Sequence, residues 1–216
     1  MAKDAETIKR AIARARLLPV VVVDAEDQAL PLAEALAEGG LPVAEVTFRT
    51  DAAEGAIRKI AKARPDVLVG AGTVLTVDQV ARAQDAGASF LVSPGFNPKV
   101  VDEARKRGIL IVPGVSNPTN VEMAMDAGLN VLKFFPAEAS GGVAMLKALS
   151  GPYRSVSFVP TGGIGPGNLT TYLALSNVLA CGGSWMVDPK LIAAGNFEEI
   201  TRLTKDAVSL ASAAEK

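Results

Sequence analysis

Val43-Ala44-Glu45-Val46-Thr47-Phe48-Arg49 alternates from one residue to the next. Ala44, Val46 and Phe48 fall on one face, Glu45, Thr47 and Arg49 on the other, the period of two of a β-strand. A helical pattern from Ala29 to Glu38 precedes it and stops at Gly39-Gly40. A second helical pattern, Ala52 to Ala63, follows. A strand set between two amphipathic helices is the unit of a parallel sheet. Its apolar face meets the helices, so its polar face points inward.

The same unit recurs along the chain. Runs rich in Val, Ile, Leu and Ala extend from Pro19 to Val23, Val43 to Phe48, Val67 to Ala71 and Phe90 to Ser93. They continue from Ile109 to Val112, Val131 to Phe135, Val156 to Pro160 and Val178 to Gly182. Helical stretches such as Val77 to Asp85 lie between them, with Gly87, Gly108 and Gly128 as further stops. Nearly continuous apolar runs suit strands buried on both faces. The 216 residues shared among eight strand–helix units come to 27 apiece, which suits a compact (β/α)8 TIM barrel. An open doubly wound sheet is the rival, and the first strand lacks the Gly-x-Gly-x-x-Gly turn that would favour it. From about Lys3 to Arg16, Ile8, Ala11, Ile12 and Ala15 share one helical face, which predicts an extra N-terminal helix across the barrel's bottom. No linker or charge block divides residues 1–216, so one domain is expected.

Composition excludes several functions. With 49% hydrophobic and 21% charged residues the chain is globular in type. The 22 basic and 23 acidic residues give a net charge of −1, which argues against bulk capture of nucleic acid or an anionic membrane. No apolar run approaches the roughly 18 residues of a membrane span. The opening Met-Ala-Lys-Asp-Ala-Glu has no apolar signal core, so a cytoplasmic protein is expected. Cys181 is the single cysteine and histidine is absent. Ser-His-Asp and Cys-His catalysis, imidazole metal ligands and cysteine zinc sites are thereby excluded. Protons in any enzyme built on this chain move through Glu, Asp, Lys, Tyr or Cys.

In such barrels function sits at the C-terminal strand ends and the loops beyond them. Lys133 is the sole charge in Val131-Leu132-Lys133-Phe134-Phe135-Pro136. Burial of a lysine favours the neutral amine, the form that attacks carbonyls. The bland alternative is a strand-end ammonium reaching water. Glu45 lies on the second strand and Lys133 on the sixth, and alternate strands fill the same interior layer. The two can face each other, either as amine and proton shuttle or as a structural ion pair. Arg49 lies about 13 Å beyond Glu45 along an extended strand, at the barrel mouth, where a guanidinium can grip a carboxylate. Thr73 closes Gly70-Ala71-Gly72-Thr73 and can complete that grip. The loops after the seventh and eighth strands, Thr161-Gly162-Gly163 and Gly182-Gly183-Ser184, suit a phosphate; tight turns needing positive φ are the alternative.

Assembled, these motifs resemble the KDPG/KHG (2-keto-3-deoxy-6-phosphogluconate and 2-keto-4-hydroxyglutarate) aldolase family. The carriers are Glu45-Val46-Thr47-Phe48-Arg49-Thr50, Gly70-Ala71-Gly72-Thr73-Val74-Leu75, Ser93-Pro94-Gly95 and Pro113-Gly114-Val115-Ser116. Lys133-Phe134-Phe135-Pro136-Ala137-Glu138, Pro160-Thr161-Gly162-Gly163-Ile164 and Gly182-Gly183-Ser184-Trp185 complete them in order. The resemblance implies a class I aldolase releasing pyruvate and glyceraldehyde 3-phosphate, as in the Entner–Doudoroff pathway. It implies Lys133 as Schiff base, Glu45 as acid–base, and Arg49 and Thr73 on the pyruvyl carboxylate. Pro94 and Phe135 would wall the methyl pocket and Thr161 would select the aldehyde face. Gly162, Gly163, Gly182, Gly183 and Ser184 would hold the phosphate. A cytoplasmic homotrimer without metal or other cofactor is implied too. The chain departs from many relatives at Val159, where they carry Cys, and from some at Val22, where they carry Arg. Arg49 and Ser184 favour phosphogluconate over phosphogalactonate cleavage. The alternatives are a phosphate-binding isomerase, disfavoured by the lack of histidine, and a non-catalytic or redesigned barrel binding sugar phosphates, disfavoured by a charged core lysine.

Overall fold

The computed structural model describes residues 4–214. The chain runs α1 (Ala5–Ala15), β1 (Leu17–Val21), α2 (Ala29–Glu38), β2 (Val43–Thr47), α3 (Ala53–Ala63), β3 (Leu68–Gly72) and α4 (Val77–Asp85). It continues with β4 (Phe90–Val92), α5 (Pro98–Lys106), β5 (Leu110–Val112), β6 (Gly114–Val115), α6 (Pro118–Asp126) and β7 (Val131–Phe134). Last come α7 (Gly142–Ser150), β8 (Ser157–Pro160), α8 (Leu169–Leu173), β9 (Cys181–Gly183), α9 (Pro189–Ala193) and α10 (Phe197–Ala213). Helix starts follow local chemistry. Asp4 accepts from the Thr7 amide at the head of α1, and Thr76 and Gln79 cap α4 reciprocally. Asn97-Pro98 and Asn117-Pro118 open α5 and α6, each Asn side chain accepting an amide and each Pro filling a position whose N–H would be idle.

Every strand pair is parallel, in a six-stranded sheet ordered β5-β4-β3-β2-β1-β9 and a three-stranded sheet ordered β6-β7-β8. Two single parallel bridges, Phe158 to Val178 and Thr161 to Gly182, join β8 to the segment ending in β9. On the other side β5 and β6 are one stretch interrupted at Pro113. The Pro113 carbonyl still accepts from the Lys133 amide at 2.9 Å, but proline has no N–H to continue a ladder. All five residues of β1, β2 and β3 are buried, as strands covered on both faces require. Phe134 and Phe158 meet edge to face at 6.4 Å in the interior. No helix among the described residues is long and apolar enough to cross a membrane.

The α/β class and parallel strands match the expectation, and α2 and α4 have the predicted bounds. Three details differ. The strand expected from Ile109 to Val112 is β5, Leu110–Val112, and a short β6 that was not expected follows it beyond Pro113. The first strand begins at Leu17 rather than Pro19. Its pairing with β9 ends at Pro19 and its pairing with β2 begins at Val20, so the missing N–H falls at the hand-over between partners. The last strand is Cys181–Gly183, and Val178 keeps only a single bridge. The N-terminal helix is α1; Lys3, where the pattern was expected to begin, lies outside the described residues.

Candidate active site

β2 and β7 belong to different sheets, yet the Lys133 Nζ donates to Glu45 Oε1 at 3.2 Å. The ion pair therefore spans the interior between the sheets. Lys133 is 4% exposed and Glu45 1%, so solvent screens neither. The second carboxylate oxygen, Glu45 Oε2, is buried with no hydrogen-bond partner. An ionised oxygen left so is costly in a core and is available to a bound molecule. Space for the carboxylate comes from β3: Gly72 pairs with Thr47, and a Cβ on it would lie 2.3 Å from Glu45 Oε1. The Lys133 ammonium also lies 5.3 Å from the centre of the Phe135 ring, in range of a cation–π contact.

Arg49 departs from the extended geometry expected for it. β2 ends at Thr47, whose hydroxyl donates to the Val21 carbonyl at 2.8 Å, and the chain turns. Arg49 is exposed in that turn, and its Nε donates to Thr73 Oγ1 at 3.2 Å. Its terminal guanidinium nitrogens meet no protein acceptor among the described residues. Thr73 has φ 55°, a left-handed conformation that costs a β-branched residue about 1–3 kcal/mol and clusters at functional sites. Behind the turn, Arg82 lies over the Phe48 ring at 5.7 Å and donates to Glu54 at 2.7 Å. Hydrogen bonds from Arg82 and Arg58 hold the Glu54 carboxyl below the usual carboxylate range.

Pro94 is half-buried just past β4, in a turn fastened by the Ser93 hydroxyl donating to the Gly95 carbonyl at 2.8 Å. Phe135 is half-buried at the end of β7, and Thr161, buried beyond β8, is bridged to Gly182. Backbone polarity in the loop after β8 is one-sided. The carbonyls of Thr161 and Gly162 accept from the amides of Ala137 and Glu138 at 2.8 and 3.1 Å. The Gly163 carbonyl accepts from Asn168 Nδ2 at 3.0 Å. The amides of Gly162, Gly163 and Ile164 have no protein acceptor among the described residues, and Gly162 and Gly163 sit at φ 101° and 80°. Acceptors turned into the protein with donors left over suit an anion. Gly182 and Gly183 are buried in β9, and Ser184 is exposed directly after it.

Seven buried polar or charged residues occur among the described residues, and Glu45, Thr47, Ser93, Lys133 and Thr161 are five of them. All five lie in or just past strands, and two of them, Glu45 and Lys133, pair with each other. The family model of KDPG and KHG aldolases matches residues 8–203. This chain belongs to that family. It is 52% identical over 204 residues to the 2-dehydro-3-deoxy-phosphogluconate aldolase of Treponema pallidum, covering 94% of this chain and 97% of that one. The Haemophilus influenzae protein of the same name is 51% identical, covering 90% and 92%. A KDPG aldolase from Legionella pneumophila, crystallised with pyruvate captured as a covalent carbinolamine, superposes with a TM-score of 0.89 at 42% identity, covering 92% of this chain and 96% of that chain.

Sequence reading missed the strain at Thr73 and the room that Gly72 leaves for Glu45. It also gave no role to Glu138, Asn168 or Tyr172. The two Gly-Gly pairs marked the loops, but no residue pattern states which way a carbonyl turns.

Proposed function

We propose that this member of the family is a class I aldolase that cleaves 2-keto-3-deoxy-6-phosphogluconate to pyruvate and glyceraldehyde 3-phosphate, and that it also acts on 2-keto-4-hydroxyglutarate. The observation that carries this is the buried Lys133–Glu45 pair with one carboxylate oxygen unpartnered. Transfer of a proton from Lys133 to Glu45 turns the ion pair into a free amine and a carboxylic acid. The amine attacks the C2 carbonyl to form a carbinolamine, and Glu45 protonates the departing hydroxyl so that water leaves and an iminium forms. The Glu45 carboxylate then takes the C4 hydroxyl proton, the C3–C4 bond breaks, and its electrons pass into the iminium to give an enamine and the aldehyde. Glu45 returns the proton to C3, and water hydrolyses the new iminium to release pyruvate and Lys133.

The other residues bind. Arg49, oriented through its Nε by Thr73, presents two terminal nitrogens to the pyruvyl carboxylate. Pro94 and Phe135 flank the methyl-bearing carbon, and Thr161 selects the aldehyde face. Gly162, Gly163, Gly182, Gly183 and Ser184 take the phosphate, supported by the surplus of amide donors after β8. The architecture we infer is a single-domain closed (β/α)8 barrel with α1 as its extra helix. Its supports are the bridges between β8 and the β9 segment and the continuity of β5 and β6. A cytoplasmic homotrimer is what the family resemblance implies.

Borohydride reduction with pyruvate tests the assignment. One reduced pyruvyl group per chain is expected, on the Lys133 peptide. Labelling of another lysine, or undiminished labelling of Lys133→Met, would overturn it.

A further inference from the structure

Glu138 ends the Lys133-Phe134-Phe135-Pro136-Ala137-Glu138 motif, yet nothing in the chemistry above uses it. Its surroundings are unusual for an exposed carboxylate. The Tyr172 hydroxyl, on α8 and fully buried, donates to Glu138 Oε1. Burial and this carboxylate push the Tyr172 hydroxyl above its ordinary range, so it stays protonated and remains a donor. The Glu138 amide donates to the Gly162 carbonyl at 3.1 Å. Its side-chain stem lies under the same loop, 2.5 Å from where a Cβ on Gly163 would stand. Asn168 fastens the loop's far end, donating to the Gly163 carbonyl and accepting from the Gly165 amide at 3.0 and 2.9 Å.

We propose that Glu138, clamped by Tyr172 and aided by Asn168, is a positioning residue that holds the Gly162-Gly163 loop with its amides facing the substrate's phosphate. This rests on the assignment of that loop to the phosphate. One residue links three elements: the segment directly after β7 (the strand that carries Lys133), the loop after β8, and helix α8. Its amide and stem draw the loop's carbonyl side inward, which leaves the N–H groups on the outer side. A loop with two glycines at positive φ is otherwise free to turn its peptides over. Glu138 touches no reacting atom, so its effect appears in binding of the phosphorylated end rather than in bond cleavage.

The test compares the phosphorylated substrate with 2-keto-4-hydroxyglutarate in wild type, Glu138→Ala, Glu138→Gln and Tyr172→Phe. The KM for the phosphorylated substrate should rise about tenfold in Glu138→Ala and Tyr172→Phe, the loss of one charge-assisted hydrogen bond, with kcat within about twofold. The KM for 2-keto-4-hydroxyglutarate should move by less than about twofold in both. Glu138→Gln keeps an acceptor for Tyr172 and should stay within about threefold of wild type on either substrate. Equal losses on both substrates, or a Gln variant as poor as the Ala variant, would overturn the positioning role. If wild type prefers the phosphorylated substrate and Glu138→Ala keeps that preference, Glu138 fails while the phosphate site stands. If wild type shows no preference and inorganic phosphate does not compete, the phosphate site itself fails, and the role of Glu138 with it.

Discussion

Glu45 carries two duties that one substitution separates. It balances the charge of Lys133 and it moves protons. Glu45→Gln retains shape and an oxygen within reach of Nζ, but a neutral amide neither takes nor returns a proton. Turnover should fall by roughly 10²–10⁴-fold, and exchange of the methyl protons of bound pyruvate with solvent should fall with it. Exchange near the wild-type rate would assign the proton to another group. The variant should also melt lower, since a buried ammonium loses its counter-charge, a change typically worth about 3–5 kcal/mol when a buried pair is broken. This part of the site was legible in the sequence. A lone lysine in an apolar strand and a glutamate on the inward face of another have few alternatives to meeting each other. Thr73 was legible only as a hydroxyl, because φ is not written in a side chain.

The turn between β3 and α4 shows what an element adds to its residues. Thr73 is held left-handed so that its hydroxyl reaches Arg49, and Thr73→Ala and Thr73→Gly separate strain from contact. Both remove the hydroxyl and should weaken substrate binding to similar extents. Alanine keeps the unfavourable φ and should leave stability unchanged or lower, whereas glycine relaxes it and should raise stability by about 1 kcal/mol. Thermal melting of the two purified variants decides this, and equal melting temperatures would mean that the turn stores no strain. Strand and helix existence was readable at this scale because apolar runs and glycine stops report local physics. Element ends were less so. A short β6 that was not expected follows β5 beyond Pro113, and Pro19 sits within β1, because the outcome depends on which neighbour a residue pairs with. Arg49 left the extended line for the same reason: Thr47 spends its hydroxyl on β1 and the strand stops there.

The seam between β8 and β9 tests whether the molecule opens as a whole. Cys181 lies in β9, fully buried, between the ladder to β1 and the narrow bridging to β8. Burial pushes its thiol from an ordinary 9.0 up to about 12, so the folded protein presents neither access nor thiolate to a thiol reagent. If the barrel is closed and cooperative, labelling of Cys181 requires global unfolding. The labelling free energy should then fall with urea along the same slope as equilibrium unfolding. A much shallower slope would show β9 leaving on its own and would contradict closure at this seam. The raised thiol also fixes the sign of an alkaline effect. Below about pH 9 the thiol is protonated in both states and stability is unaffected. Between pH 9 and 12 the unfolded chain releases this proton and the folded one keeps it, so stability falls as pH rises, by about 1.4 kcal/mol for each pH step at most. Tyr172, whose hydroxyl is also pushed upward from an ordinary 10.0 by burial, adds a loss of the same sign from about pH 10 upward. Urea unfolding of wild type and Cys181→Ala at pH 8 and pH 10.5 should therefore show a smaller alkaline loss in the variant. An identical loss in both would mean that the thiol ionises as readily inside the fold as outside it.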